Sequence, residues 1–327
     1  ALVTLEAWMF LSSFEDFRKK LLAERTIIAM THMDNMVMGI AFGTAATIWK
    51  NSFNPGFHAS YSYLEYADIT AENIPREFPV QNSREASAQA NQFGKIAGSP
   101  IAYWLSETFR EAFSESIDFE EIATPRQGLG TTNNGKFVRA WNELSFDTLR
   151  FGAANRSDAL GSKCKWFPYN KGGNFRKWYG NQEFVVNWLD DGREIKDYIK
   201  NKNPNVARSE SHYFKAGITW GLITSGEFSC RRIPNGFIFD VGGSSAFPST
   251  EYRELCLGFL NSLLSSLLLK CINPTVNTQV GDLQRLPIKR AMLVQSSDFS
   301  SCVEELVAIA RADWDNFETS WDFRDQP

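Results

Sequence analysis

Apolar positions in the first fifty residues switch between two spacings. Residues 2–4 form a short β-type run, and Phe14, Phe17, Leu21 and Leu22 then recur at helical spacing. Residues 26–30 and 42–49 return to β-favouring runs. Ser12 with Glu15 three places later has the form of a capping box at the start of that helix. Strand, helix, strand, strand in this order predicts the late strands of an open α/β sheet. Pro55, Gly56, Pro75 and Pro79 then break the pattern. Residues 85–119 regain helical periodicity with acidic positions at Glu107, Glu111 and Glu115, which predicts a helical connector.

After Thr124 and Pro125 the pattern changes again. Short β-type runs at 137–141, 184–188, 218–223 and 237–241, separated by Gly, Asn and Pro clusters, predict a second, mainly β domain. Leu257, Leu260, Leu263, Leu264, Leu267 and Leu268 predict one core helix over 250–272, ending before Asn273-Pro274. Residues 303–314 predict a last amphipathic helix. No run approaches the roughly 18 uninterrupted apolar residues of a membrane span. Gly258, Asn261, Ser262, Ser265 and Ser266 interrupt the greasiest stretch, and neither a membrane segment nor a signal peptide is expected.

The length of 327 residues suits two domains, and 43% hydrophobic against 22% charged residues excludes wholesale disorder. Five cysteines, an odd number with no CxxC pair, argue against a disulfide framework or zinc knuckle and point to buried thiols in a reducing cytoplasm. The net charge of -4 hides an uneven layout. Residues 126–178 hold ten basic residues against three acidic ones, whereas the tail after Ala291 holds eight acidic residues against Arg311 and Arg324. A basic, aromatic-laced segment on an acidic body fits a polyanion reader, since local field attracts phosphate. The competing reading is a lysine-rich solvated loop region.

Conventional catalytic signatures are missing. His32, His58 and His212 lie far apart without partners at ligand spacing, so no metal site is expected, and there is no GxSxG, HExxH, Walker loop or GxGxxG. Asn54-Pro55-Gly56-Phe57 resembles the Asn-Pro-Pro-aromatic tetrapeptide with which amino methyltransferases hold an exocyclic amine, but the second proline is absent and Asn-Pro-Gly is a ready turn sequence. The informative stretch is residues 128–141 (GLGTTNNGKFVRAW), whose glycines and Asn-Asn-Gly favour positive φ and bare amides suited to an anion. Residues 163–169 (KCKWFPY) and 171–179 (KGGNFRKWY) follow, alternating cations with aromatics. Lys136, Arg139, Lys163, Lys165, Lys171, Arg176 and Lys177 are the candidate phosphate contacts. Asn133 and Asn134 are the candidate base readers, and Trp141 and Trp166 are expected to be buried.

The stretches GLGTTNNGKFVRAWNE, KWFPYNKGGNFRKWYGN, VVNWLDDG, GFIFDVGGSSAFP, NPTVNTQVGDLQRLPI and DWDNFETSWDF closely resemble the C-terminal half of the PglX family. These are adenine-specific DNA methyltransferases of BREX phage-resistance systems, similar to fused restriction-modification enzymes. LVTLEAWMFLSSFEDFRKKLLAERTIIAMTH and FGTAATIWKN resemble the part just after that family's catalytic motif. The resemblance implies an α+β or α/β chain in which residues 1–75 end a Rossmann-like methyltransferase sheet. Residues 76–125 would be a helical spacer, 126–290 a mainly β DNA target recognition domain, and 291–327 C-terminal helices.

It also implies the function: recognition of double-stranded DNA for an N6-adenine methyltransferase in phage defence. The family's S-adenosylmethionine turn and Asn-Pro-Pro-aromatic loop would lie upstream of Ala1, so no cofactor and no catalytic residue is expected in this chain, which alone would be inactive. Two alternatives stand beside this. One is a complete but divergent methyltransferase using Asn54 and Phe57; the other is a protein-interaction subunit docking a defence-complex partner through residues 313–323. An unpaired edge on the first strand predicts a dimer or an irregular N-terminal region.

Overall fold

The computed structural model describes residues 1–69, 82–200, 207–223, 227–273 and 275–324. Contacts divide the chain into two compact units, Ala1–Ile117 with Leu269–Pro274, and Asp118–Leu268 with Thr275–Pro327. Both mix helices with antiparallel and parallel strands, so the class is α+β.

The first unit is built on a five-stranded sheet of β1 (Leu2–Leu5), β2 (Thr26–Met33), β3 (Thr44–Lys50), β4 (His58–Leu64) and β5 (Ala86–Gln89), in the order β1-β3-β2-β4-β5. Among the described residues, only β2 and β4 of this sheet pair in parallel. Its core holds Met9, Phe10, Ile27, Met30, Ala45, Tyr61, Phe93 and Tyr103. The predicted helix exists as α1 (Glu15–Glu24), but Ser12–Phe14 forms a 3-10 turn and Phe14, without a side-chain cap, precedes the helix. The expected capping box is therefore not made. What fixes α1 is Arg18, fully buried and donating to the carbonyls of Trp8, Leu11 and Gly98. His32, in the core as a structural histidine, lies 2.6 Å from Glu6 and 3.2 Å from the Tyr103 hydroxyl.

The helical connector is corrected by the structure. Within residues 85–119 only α2 (Ala90–Phe93) and α3 (Glu107–Ser114) are helical, and Ala86–Gln89 joins the sheet in register with His58–Tyr61. Alternating small residues let that segment pack as an edge strand, so pairing overrides helix propensity. Gly98 and Ser99 at positive φ, followed by Pro100, stop any helix between.

The strand β6 (Ile117–Asp118) leads into the second unit, whose sheets bring distant segments together. One contains β8 (Val138–Ala140), β9 (Trp166–Asn170), β10 (Phe184–Asn187) and β13 (Ile238–Phe239) in the order β13-β9-β10-β8. The other orders β12 (Cys230–Ile233), β11 (Gly217–Trp220), β14 (Ser245–Pro248) and β7 (Ala123–Arg126) as β12-β11-β14-β7. Phe137, Phe167, Val186, Trp188, Phe214 and Ile238 form the main core. Around the sheets stand α4 (Asn134–Phe137), α5 (Arg156–Ser162), α6 (Leu189–Ile199) and α7 (Arg253–Leu260), and α8 (Leu263–Ile272) begins in this unit and ends in residues that belong to the first. After α9 (Val280–Gln284), β15 (Pro287–Ile288) and α10 (Arg290–Val294), the chain ends in the long α11 (Ser296–Asp315), which contains the predicted last helix.

Three further expectations change. The single helix over 250–272 is two, bent by 78° between α7 and α8. At the break, buried Asn261 accepts from the Cys230 N–H and donates to its carbonyl, both at 3.0 Å, so its amide pairs like a strand neighbour. Leu263, Leu264 and Leu267 are consequently exposed instead of core. Cys302 is exposed and Cys164 half-buried, and only Cys230, Cys256 and Cys271 are buried thiols. Trp166 is buried as expected, but Trp141 is half-exposed, its indole donating to the Thr319 carbonyl at 2.9 Å. Among the described residues no single helix is long and apolar enough to cross a membrane.

Candidate nucleic-acid interface

The basic segment lies within the second unit, and its elements place the candidate cations in two groups. The first gathers around β8 and β9. Val185 pairs with Arg139 on one side and Pro168 on the other, and the two-residue alternation puts Trp166 on the same sheet face. There the Arg139 guanidinium lies 5.8 Å and the Lys165 ammonium 5.5 Å from the Trp166 ring centroid. Lys136, at the end of α4, reaches Glu194 on α6 at 3.0 Å and stands over the rings of Phe137 and Tyr198. The Lys136 hydrogen bond is the main cause that holds the Glu194 carboxyl below its ordinary range, with Asn187 and the charge of Lys165 adding to it. Exposed Lys163 closes α5 in the left-handed conformation. Among the described residues neither Lys163 nor Lys165 has an ion-pair partner, so both heads are open to an incoming anion.

The second group follows β9. Lys171 sits 3.5 Å from Asp240, Arg176 is 2.8 Å from Asp313 and 5.0 Å from the Trp314 ring, and Lys177 donates to the Asn261 carbonyl at 3.1 Å with Glu227 at 3.9 Å. Partly exposed ion pairs of this kind are worth about 0–1 kcal/mol, so a phosphate can exchange for the carboxylate at small cost.

The glycine-rich stretch that opens this region works differently from the anion cradle its composition suggests. Gly128 is needed because a Cβ there would collide with the Phe239 carbonyl, and the following amide, Leu129 N, donates to that carbonyl at 2.8 Å. Positive φ falls on Thr132, not on the glycines of this stretch. Asn133 caps α4: its side-chain oxygen accepts from Lys136 N at 3.1 Å while its amide nitrogen donates to the Tyr198 hydroxyl at 3.3 Å. Asn134 is exposed, accepts from the Thr131 hydroxyl at 2.6 Å, and keeps an NH₂ without a partner among the described residues.

Asn54 in the first unit forms a turn. Its side-chain oxygen accepts from Gly56 N at 3.2 Å, its carbonyl from Phe57 N at 3.3 Å, and the Phe57 ring packs against the core. No cluster of three or more metal-ligating side chains occurs among the described residues.

Composition missed a different set of residues. Arg231 is buried, donating to the Arg176 carbonyl at 3.2 Å and also to that of Gly172, and Asn181 donates to the carbonyls of Gly172 and Asn174. Nothing in one sequence separates such an arginine from an exposed one, because only the fold puts β12 beneath residues 171–178.

No protein-family model matches the chain. Over 99% of its length it is 35% identical to the adenine-specific methyltransferase PglX of Lacticaseibacillus casei (strain Zhang), of which it covers 28%. It is 34% identical, again over 99% of its length, to the adenine-specific methyltransferase BrxX of Escherichia coli O9:H4 (strain HS), of which it covers 26%. The resemblance carried by the sequence motifs thus extends along essentially the whole chain, and the chain spans little more than a quarter of these relatives. Among solved structures it is similar to the type IIL restriction-modification enzyme MmeI in complex with DNA, with a TM-score of 0.52 at 11% identity over 99% of this chain and 44% of that one. That likeness is one of fold.

Proposed function

We propose that this chain is the DNA target-recognition portion of an N6-adenine-specific methyltransferase of BREX-type phage defence. The observation that carries the proposal is the similarity at 34–35% identity, over 99% of the chain, to two adenine-specific methyltransferases. The fold likeness to an enzyme solved with DNA and the basic groups on the second unit support it. On this reading the first unit closes a methyltransferase sheet, S-adenosylmethionine serves the full-length enzyme, and residues 126–290 read duplex DNA. Lys163 and Lys165 meet phosphates first, because neither is held in an ion pair among the described residues, the Glu194 carboxylate being bonded to Lys136. Lys136, Arg139, Lys171, Arg176 and Lys177 complete the contacts. Asn134 is the better placed of the two asparagines to read a base edge, since both ends of the Asn133 amide are engaged. The turn formed by Asn54 speaks against the divergent-enzyme alternative.

Fluorescence anisotropy with a short duplex across a salt series tests this. Lys163→Ala and Lys165→Ala are each expected to reduce the slope of log K against log salt by about 0.9 without altering sequence preference. No duplex binding at low salt, or unchanged slopes in both variants, would overturn the reading. Calorimetry with S-adenosylmethionine on the same chain separates the enzyme alternative, which requires a measurable affinity.

A further inference from the structure

The segment between β9 and β10 begins with two residues in the left-handed region, Gly172 at φ 84° and Gly173 at φ 86°. A Cβ on Gly172 would come within 2.6 Å of the Gly242 carbonyl, and one on Gly173 within 2.8 Å of the Asn181 amide, so only glycine fits this turn. The turn is then pinned from below. Asn181 Nδ2 donates to the Gly172 carbonyl at 3.3 Å and the Asn174 carbonyl at 2.8 Å. Trp178 N donates to Cys230 O at 2.9 Å and Arg232 N to Trp178 O at 2.8 Å, which docks the segment onto β12. Arg231, 1% exposed, donates to the Gly172 and Arg176 carbonyls and makes no ion pair with a described residue.

Burying a guanidinium without a carboxylate is costly, and burial pushes Arg231 down to about 10. What the molecule gains is a fixed path for residues 172–178. At the apex of that pinned turn Gly173, Asn174 and Phe175 face solvent, Phe175 being 59% exposed. The Lys177 ammonium lies 5.9 Å from the ring centroid, and residues 171–179 include Lys171 and Arg176 but no acidic residue. A large ring held out on a turn pinned by these hydrogen bonds has paid part of its ordering cost beforehand, and a phosphate that displaces Asp240, Asp313 or Glu227 from Lys171, Arg176 or Lys177 would lie beside it.

We propose that Phe175 is a wedge that enters the base stack of duplex DNA at a flexible pyrimidine–purine step, with Arg231 as the positioning residue that sets its path. Lys171, Arg176 and Lys177 hold the phosphates on either side of the opened step, which kinks. The proposal rests on the DNA-recognition reading and deepens it.

The test uses the full chain and the duplex it best retains from a randomised pool, carrying 2-aminopurine at successive steps and a donor–acceptor dye pair at its ends. Wild type is expected to raise 2-aminopurine emission at one step and shorten the end-to-end distance. Phe175→Ala is expected to lose both signals and to bind on the order of tenfold more weakly, with its salt slope unchanged. Phe175→Leu, still an apolar wedge, keeps them. Arg231→Lys and Asn181→Ala are expected to lose the emission rise although Phe175 is intact, which a purely stabilising role would not produce in variants that keep the wild-type salt slope. Duplex binding with no local emission change in wild type, or the same change in Phe175→Ala, overturns the wedge and leaves DNA recognition standing. Absence of any duplex binding at low salt overturns the recognition reading, and the wedge with it.

Discussion

At the scale of single residues, glycine and asparagine carry more of the second unit than their composition suggests. Gly128 lies where β13 passes with no room for a side chain, and the clash falls on backbone, which cannot rotate away. Gly128→Ala is expected to cost about 1–3 kcal/mol, as overpacking a tight site does, and urea denaturation followed by tryptophan fluorescence would measure it. Asn261 is a second such position, satisfying both backbone groups of buried Cys230. Asn261→Ala strands the buried Cys230 N–H, while the Cys230 carbonyl keeps Trp178 N, and is expected to lower stability by about 1–3 kcal/mol, with an unchanged denaturant slope if the fold is retained. The identities of these residues were visible in the sequence. Their work was not, because each acts on a strand distant along the chain.

At the scale of elements, local pattern was reliable where an apolar β-type run is largely buried and unreliable where a partner decides. The strands β2, β3, β10 and β11 fall where apolar β-type runs lie. Residues 86–89, helical by periodicity, are a strand because β4 offers an edge, and the 250–272 helix breaks because Asn261 turns toward β12. The strand β1 pairs with β3 on one side and is the outermost strand of its sheet, with Leu2, Val3 and Leu5 at least half exposed. An unpaired apolar edge templates association with another chain. Light scattering of this polypeptide is expected to give a dimer that Val3→Lys returns to monomer; a monomeric wild type would remove the edge from consideration.

At the scale of the whole molecule, buried phenols and thiols set the response to alkali. Burial raises Tyr61, Tyr103, Tyr169 and Tyr213 far above their ordinary value of 10, raises Cys230 and Cys256 similarly, and pushes Cys271 up to about 12. For each, the folded value exceeds the unfolded one. Their contribution is therefore complete below the unfolded value, 9 for a thiol and 10 for a phenol, and is lost as pH rises beyond it. Arg231 and Arg110, whose folded values are depressed by burial, act in the opposite sense, Arg231 above about 10, but they are two groups against seven. The urea midpoint is expected to fall steadily above pH 9, with the tyrosinate absorbance of Tyr61, Tyr103, Tyr169 and Tyr213 appearing only on unfolding. A midpoint flat through pH 11 would contradict the burial of these groups.

The sequence by itself determined the alternation of β-type and helical segments, the concentration of cations between residues 126 and 178, and the resemblance to the adenine-specific methyltransferases that the comparisons bear out along the chain. These are properties of composition and local order. Only the tertiary structure decided which cations meet, which glycines and asparagines hold the turns, and that Phe175 stands clear while Trp166 is buried beneath Arg139 and Lys165. The reason is physical: the deciding contacts join residues tens of positions apart, whose energies exist only once the sheets have closed around them.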